Sequence, residues 1–295
     1  MSENTTNTTE AYSNQQRIEN PEIRSYTMHR RFDRFGRLVG DAVMEKLAKS
    51  HAMIIGVGGV GSFAAEALAR SAVGTITLVD FDEVCVTNTN RQLHALVGQV
   101  GKKKATIMAE RLQKINPQAK IHSIEKFYNA FSSEEILGSK PDLVLDCADN
   151  ITAKCHLLAT CVEKKIPVIC AGGASAKQDP LRIKFTDLGK THTDPFLVRV
   201  RKILRQQYNF PADGAMNIPT VFSDEAPQEP FELKYDNGEG FKCVCPQGQN
   251  DFHSCDDRNM IYGTASYVTG AFGLVMASRA IAMLKQEPPL AETLS

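Results

Sequence analysis

Apolar positions along the chain fall into two alternating periods. Ile54-Ile55, Thr75–Val79, Ile121–Ile124, Leu143–Leu145 and Pro167–Ala171 are short, nearly continuous apolar runs. Runs of that length, rich in β-branched residues, predict strands buried on both faces. Between them the apolar residues recur at helical spacing, from Ser62 to Leu68, Lys104 to Ile115, Ser132 to Leu137 and Ile151 to Lys165. A further helical pattern precedes the first strand, with Phe32, Phe35, Leu38 and Val39 and then Val43, Met44 and Leu47. Strands alternating with helices in this way predict an α/β fold, a mostly parallel sheet with helices on both faces.

Beyond Gly173 the rhythm loosens. Leu181–Phe185 reads as a strand and Asp194–Gln207 as a basic helix, carrying Arg199, Arg201, Lys202 and Arg205. Residues 209–257 are rich in Pro, Gly and Asp and predict mobile loops. Met260–Ser278 has no charged residue and is long enough to span a bilayer. Its glycines, Gly263, Gly270 and Gly273, and its flanking arginines, Arg258 and Arg279, instead predict a glycine-rich helix buried in the protein or at a dimer interface.

The first strand leads into Gly56-Val57-Gly58-Gly59-Val60-Gly61. Glycines at 56, 58 and 61, between a strand and a helix, fit the G-x-G-x-x-G fingerprint of a Rossmann-like nucleotide site. Glycine permits the tight turn and the close approach of phosphate oxygens, and the N–H groups opening the helix hold the anion. The second strand ends in Asp80, where a carboxylate would accept hydrogen bonds from a ribose. A parallel sheet gathers its ligands at the C-terminal strand ends. Asp80, Asp82 and Asp149 are therefore expected to converge, together with Arg91 and Lys104. Two cations and a carboxylate able to hold Mg²⁺ suit a triphosphate attacked at its α-phosphate better than a nicotinamide dinucleotide.

Composition narrows the class. Hydrophobic residues make up 42% and charged residues 23%, as in an ordinary globular protein. With 34 basic and 34 acidic side chains there is no global attraction to nucleic acid, so RNA binding would need a local patch. The eight cysteines lie mostly in apolar runs, which predicts reduced thiols in a cytoplasmic protein. Met1–Arg24 is polar throughout, lacks a targeting pattern and predicts a flexible tail.

Gly56–Gly61, Asp80-Phe81-Asp82, Asn88-Thr89-Asn90-Arg91-Gln92, Lys104 and Asp146-Cys147-Ala148-Asp149-Asn150 together resemble the adenylation motifs of the ubiquitin-activating-enzyme superfamily. The resemblance implies that Gly56, Gly58, Gly59 and Gly61 cradle ATP, that Asp80 binds its ribose, and that Asp82 belongs to the same site. It further implies that Asn88, Arg91 and Lys104 contact the phosphates and that Asp149 holds Mg²⁺. It also implies a homodimer in which an N-terminal arginine, Arg34 with Arg31 and Arg37 as alternatives, reaches the partner's site.

Sulfur-carrier activators of that superfamily carry paired C-x-x-C zinc ligands, and the stretch Thr186–Pro195 has no cysteine. Cys243, Cys245, His253 and Cys255 could ligate zinc, at a spacing that is not the usual one, or act as thiols in sulfur transfer. Asp82–Leu96, Val221–Glu225 and Tyr262–Gly273 resemble instead the branch that dehydrates threonylcarbamoyladenosine in tRNA. That resemblance implies adenylation of the threonyl carboxylate by ATP with Mg²⁺. It makes tRNA carrying threonylcarbamoyladenosine the substrate and a cysteine-desulfurase sulfur-transfer system a possible partner. The expected organisation is a tail over 1–24 and one adenylation domain over 25–295. Its nucleotide-binding core is 25–173 and its substrate and dimerisation part 174–295.

Overall fold

The computed structural model describes residues 30–233 and 262–285. The expected tail over 1–24 and the Cys243, Cys245, His253 and Cys255 group lie outside the described residues. The chain enters through two short helices, α1 (Asp33–Val39) and α2 (Asp41–Lys49). β1 (His51–Ile55), α3 (Gly61–Arg70), β2 (Thr75–Val79), α4 (Lys104–Ile115) and β3 (Lys120–Ile124) follow. Next come α5 (Ser133–Leu137), β4 (Leu143–Asp146), α6 (Ile151–Glu163) and β5 (Val168–Ala171). β6 (Ile183–Asp187), α7 (Pro195–Gln207), β7 (Pro219–Ser223) and α8 (Ser266–Leu284) complete the order.

The strands form one sheet in the order β3-β2-β1-β4-β5-β7-β6, parallel except for the β6–β7 pair. Apolar strands buried on both sides need cover on both sides, and they receive it. One core packs Ala64, Leu68, Met108, Val268, Phe272 and Met276 from α3, α4 and α8 against Ile54 and Leu78. The other packs Leu157, Leu158, Leu197, Val200 and Leu204 from α6 and α7 against Met53, Val144 and Cys170. The expected α/β architecture with helices on both faces is the fold observed.

Three sequence expectations change. Residues 209–257 contain strand β7, which slots between β5 and β6. Pro219 at its first position and the surrounding Pro and Gly mask it, but a proline at a strand's start is compatible with the ladder. The glycine-rich helix spans Ser266–Leu284, not Met260–Ser278. It continues past Arg279, whose guanidinium stacks 4.7 Å from the Phe185 ring, because Ala280 and Leu284 beyond it are buried in the core. Strand β4 stops at Asp146, so Asp149 stands in the connection to α6 and Asn150 is the cap, its side chain accepting from the Ala153 N–H at 3.0 Å.

α8 packs on α3 directly behind the glycine turn. A Cβ at Gly270 would lie 3.0 Å from the Phe63 ring, and one at Gly273 would lie 2.5 Å from the Val60 carbonyl oxygen. The helix is long and apolar enough to cross a membrane, and the glycine faces it needs for close packing are used inside the protein.

Candidate active site

The turn between β1 and α3 is built by glycines that do different work. Gly56 has φ +89°, a left-handed conformation that a side chain rarely adopts, and a Cβ there would sit 2.8 Å from the Cys147 carbonyl oxygen. A Cβ at Gly61 would overlap the Gly56 carbonyl oxygen, so this glycine closes the turn on itself. A Cβ at Gly59 would press on Thr269 of α8 and on Arg91. Gly58 alone has room: nothing lies nearer its Cβ position than the Gln92 amide nitrogen at 3.9 Å. The turn thus leaves open space at Gly58, beside the N-terminus of α3, where an anion is attracted by free N–H groups.

Asp80 closes the floor of this turn. Its carboxylate accepts from the Val57 N–H at 2.6 Å and from the Asp82 N–H at 2.9 Å. Burial pushes its carboxyl up, and Lys104 pulls it back. Lys104 opens α4 and is 6% exposed, not the solvated neighbour of Lys102 and Lys103 that its sequence context allows. Its ammonium bonds Asp82 at 2.7 Å. Desolvation opposes its charge, but Asp80, Asp82 and Asp149 outweigh that and hold it above its ordinary value. The other Asp82 oxygen, Oδ1, is buried and has no hydrogen-bond partner among the described residues. A carboxylate oxygen left unpaired beside a lysine is an acceptor waiting for a donor or a cation.

The loop from β2 to α4 supplies the remaining residues. Asn88 ends a 3-10 turn, is 7% exposed, and accepts from the Cys85 N–H at 3.0 Å. Arg91 donates to the Thr87 carbonyl at 2.9 Å and the Asn90 side chain at 3.0 Å, and its Cγ flanks Gly59. Asn90 in turn donates to the Thr264 carbonyl at 2.9 Å, tying the loop to the start of α8. Asp149 is exposed on the rim, close enough to Lys104 to raise it. The structure therefore brings Gly56, Gly58, Gly59, Gly61, Asp80, Asp82, Arg91, Lys104 and Asp149 to one end of the sheet, with Asn88 shaping the loop behind them.

Arg34 is elsewhere. It is exposed on α1, which packs through Phe32 against Met44 and Ala72, at the far ends of α3 and α4. The neighbouring Arg31 donates to the Ile115 carbonyl at the last residue of α4, while Lys104 is its first. A helix of that length places Arg34 about 15–20 Å from its own phosphate turn. Arg37 pairs with Asp33 at 2.9 Å.

Several residues escape sequence reasoning. Asp146 and Lys154 form an ion pair at 2.7 Å with both side chains fully buried. The ammonium also reaches the Asp146 carbonyl at 3.3 Å, and Asp146 accepts from the Ala148 N–H at 3.2 Å. The pair thereby fixes the connection that carries Asp149. Its one sequence signal is a lysine spaced at i+8 from a strand-end aspartate, which on a helix reads as solvated. His94 is 1% exposed, neither ring nitrogen has a hydrogen-bond partner among the described residues, and burial with Lys104 and Arg111 lowers it to about 3. Gln92 presents its amide at Gly58, with Oε1 unpaired among the described residues.

Residues 32–294 match the ThiF family. This chain belongs to the ThiF family. The resemblance to adenylating enzymes is thereby placed on nearly the whole described fold. This ThiF-family chain is 38% identical to the tRNA threonylcarbamoyladenosine dehydratase of Escherichia coli over 85% of its own length and 92% of that protein's. It is 42% identical to the Bacillus subtilis protein of the same name, over 68% of this chain and 77% of that one. Among solved structures it is similar to the Escherichia coli tRNA N6-threonylcarbamoyladenosine dehydratase in complex with ATP. There the TM-score is 0.74 at 35% identity, covering 88% of this chain and 95% of the other.

Proposed function

We propose that this ThiF-family protein is an ATP-dependent dehydratase of threonylcarbamoyladenosine in tRNA, acting through adenylation of the threonyl carboxylate. A carboxylate oxygen attacks the α-phosphorus of ATP and pyrophosphate leaves. The carbamoyl nitrogen then attacks the activated carbonyl carbon, its proton departs, and AMP leaves with the former carboxylate oxygen. A ring closes with net loss of water. The observation that carries this reading is the pairing of Lys104 with a half-unpaired Asp82 beside the open Gly58 turn, in a chain matching the dehydratases along most of its length.

The residues divide the work. The α3 N-terminus and the space at Gly58 receive phosphate oxygens. Lys104 and Arg91 stabilise the negative charge that develops as pyrophosphate leaves. Asp80 faces the ribose. The residues also fit Mg²⁺: Asp149 is exposed on the rim and Asp82 Oδ1 is an unpaired hard donor, the ligand type that cation prefers. When bound, Mg²⁺ would neutralise phosphate charge at the attacked centre.

The distance between Arg34 and its own phosphate turn supports a homodimer in which each N-terminal helix serves the other protomer. The scattered buried thiols, Cys85, Cys155, Cys161 and Cys170 among them, support a cytoplasmic setting.

The test is mass spectrometry of nucleosides from tRNA bearing threonylcarbamoyladenosine, incubated with protein, ATP and Mg²⁺ in a buffer free of nucleophiles. The expected result is a nucleoside lighter by one water, with AMP and pyrophosphate released in step. An unchanged nucleoside, with AMP released only on adding a Gly-Gly-ended carrier protein, would make the chain a sulfur-carrier activator instead.

A further inference from the structure

The sequence as a whole is electrically neutral, yet one helix is not. α7 carries Arg199, Arg201, Lys202 and Arg205 and no acidic residue within Pro195–Gln207. Arg199 and Lys202 are exposed, while Arg201 and Arg205 are half-buried. Among the described residues none of the four forms an ion pair. Arg201 donates to the Thr191 hydroxyl and Arg205 to the Pro211 carbonyl at 3.1 Å, neutral partners that orient a guanidinium without cancelling its charge. Desolvation and the charge of Arg205 push Arg201 down and outweigh the opposing pull of Asp194, so repulsion within the cluster is felt. The acid closest in sequence, Asp194, faces inward, accepting from the N–H groups of Gly173 at 2.8 Å and Phe196 at 3.0 Å. A fold that gathers like charges without an ion-pair partner among the described residues leaves them available to an external anion.

The helix is also in the right place. Asp194, its cap, binds Gly173 just beyond the C-terminal end of β5, the same end of the sheet as the phosphate turn. α7 then packs along α6: Lys154 lies 5.6 Å from the Phe196 ring, and the Cys155 thiol faces the Val200 carbonyl at 3.8 Å. Its first turns therefore flank the connection bearing Asp149. At three-residue spacing and about 1.5 Å per residue, Arg199, Lys202 and Arg205 form a stripe some 9 Å long leading away from that rim, with Arg201 on its flank. The exposed side holds a single large apolar residue, Val198, too little for the apolar centre of a protein interface.

We propose that the outer face of α7, through Arg199, Lys202 and the oriented Arg201 and Arg205, is the docking surface for the sugar-phosphate backbone of the RNA substrate. It tracks phosphates and reads no base. The inference rests on the dehydratase reading and adds to it the surface that holds the substrate beside the nucleotide.

The test measures tRNA binding by fluorescence anisotropy over a series of KCl concentrations, for the wild type and for R199A/K202A. Lost phosphate contacts reduce the slope of log K against log salt by about 0.7–0.9 for each contact. The double variant is therefore expected to bind tRNA about tenfold or more weakly at low salt, with a slope shallower by between one and two. R199K/K202R should restore both. ATP binding should be unchanged, and so should a control, K49A/K120A, at exposed lysines away from α7. Circular dichroism confirms folding of each variant. If R199A/K202A binds tRNA with the wild-type affinity and slope while dehydration proceeds, the docking surface is elsewhere and the dehydratase reading stands. If the variant loses binding to poly-glutamate and not to tRNA, α7 serves an acidic protein and the proposal falls. If the wild type leaves the modified nucleoside unchanged, it is the dehydratase reading that fails.

Discussion

Two lysine–carboxylate pairs stand after the two strands that flank β1, with the same geometry and opposite surroundings. Lys104 meets Asp82 at 2.7 Å after β2, and Lys154 meets Asp146 at 2.7 Å after β4. The second pair is sealed, with both side chains at 0% exposure and the carboxylate bonded through both oxygens. The first is unfinished: Asp82 is a quarter exposed and its Oδ1 lacks a partner among the described residues. Distance alone would call the pairs equivalent. What separates them is whether the protein completes the hydrogen-bonding, and an incomplete pair at the ligand end of a parallel sheet is suited to receive substrate charge.

The comparison breaks most sharply at Lys154. Lys154→Met leaves the Asp146 carboxylate buried without its cation, a change that costs about 3–5 kcal/mol. Urea unfolding should show that loss, and adding Asp146→Leu should recover much of it, because an apolar pair can replace a buried ion pair. Little recovery in the double variant would mean that the pair's bonds to the Asp146 carbonyl and Ala148 are worth more than its charge.

Lys104 is expected to behave in the other way. Lys104→Ala removes a preorganised cation from the phosphates and should lower kcat/KM by about 10²–10³-fold, roughly 3–4 kcal/mol of transition-state stabilisation. The sequence alone allows a solvated Lys104 whose loss spares the fold; at 6% exposure it is packed, so a smaller stability loss accompanies the kinetic one. A loss of stability as large as that of Lys154→Met, with activity intact, would erase the distinction between the pairs.

These two lysines also show what was legible beforehand. The glycine fingerprint, Asp80 and the alternation of strands and helices are local patterns, and the structure keeps them where the spacing puts them. Lys104 and Asp149 could be nominated because each follows a strand-end motif. Lys154 could not, since its partner lies across a strand-to-helix turn and a lone lysine in an amphipathic helix normally faces water. Strand β7 was hidden for a related reason. Its place is set by pairing with β5 and β6, non-local partners that a Pro- and Gly-rich stretch does not announce. The Ala153 hydrogen bond makes Asn150 the cap of α6 and leaves Asp149 on the rim.

His94 sharpens the comparison through pH. It is lowered to about 3 from an unfolded value of 6.5, so the folded protein keeps it neutral while the unfolded chain takes up a proton. The unfolded state then binds more protons below pH 6.5, and stability contributed by the neutral ring is lost as pH falls from 6.5 toward 3. Between pH 7 and 5 the loss should be about 2 kcal/mol. Thermal melts of His94→Gln should be flatter with pH over that range than those of the wild type. Parallel curves would show that His94 is protonated in the fold despite Lys104 and Arg111 beside it.

The smallest effect on the fold, and the finest test of the unfinished rim, is expected at Gly58. A Cβ at Gly61 would overlap backbone, and one at Gly56 would need an unfavourable φ, so those glycines serve the turn itself. At Gly58 no atom lies nearer than 3.9 Å to the Cβ position, and its backbone is one that other residues adopt. The protein can therefore accept Gly58→Ala with a stability change within about 0.5 kcal/mol. The methyl group would instead enter the space proposed to receive phosphate oxygens, next to the Gln92 amide. Calorimetric titration with ATP should show weaker binding while the melting temperature hardly moves. If the variant is destabilised and its ATP affinity is unchanged, Gly58 belongs with Gly56 and Gly61 as a residue of the fold. The open side of the turn then lies elsewhere along the rim that Asp82 and Lys104 share.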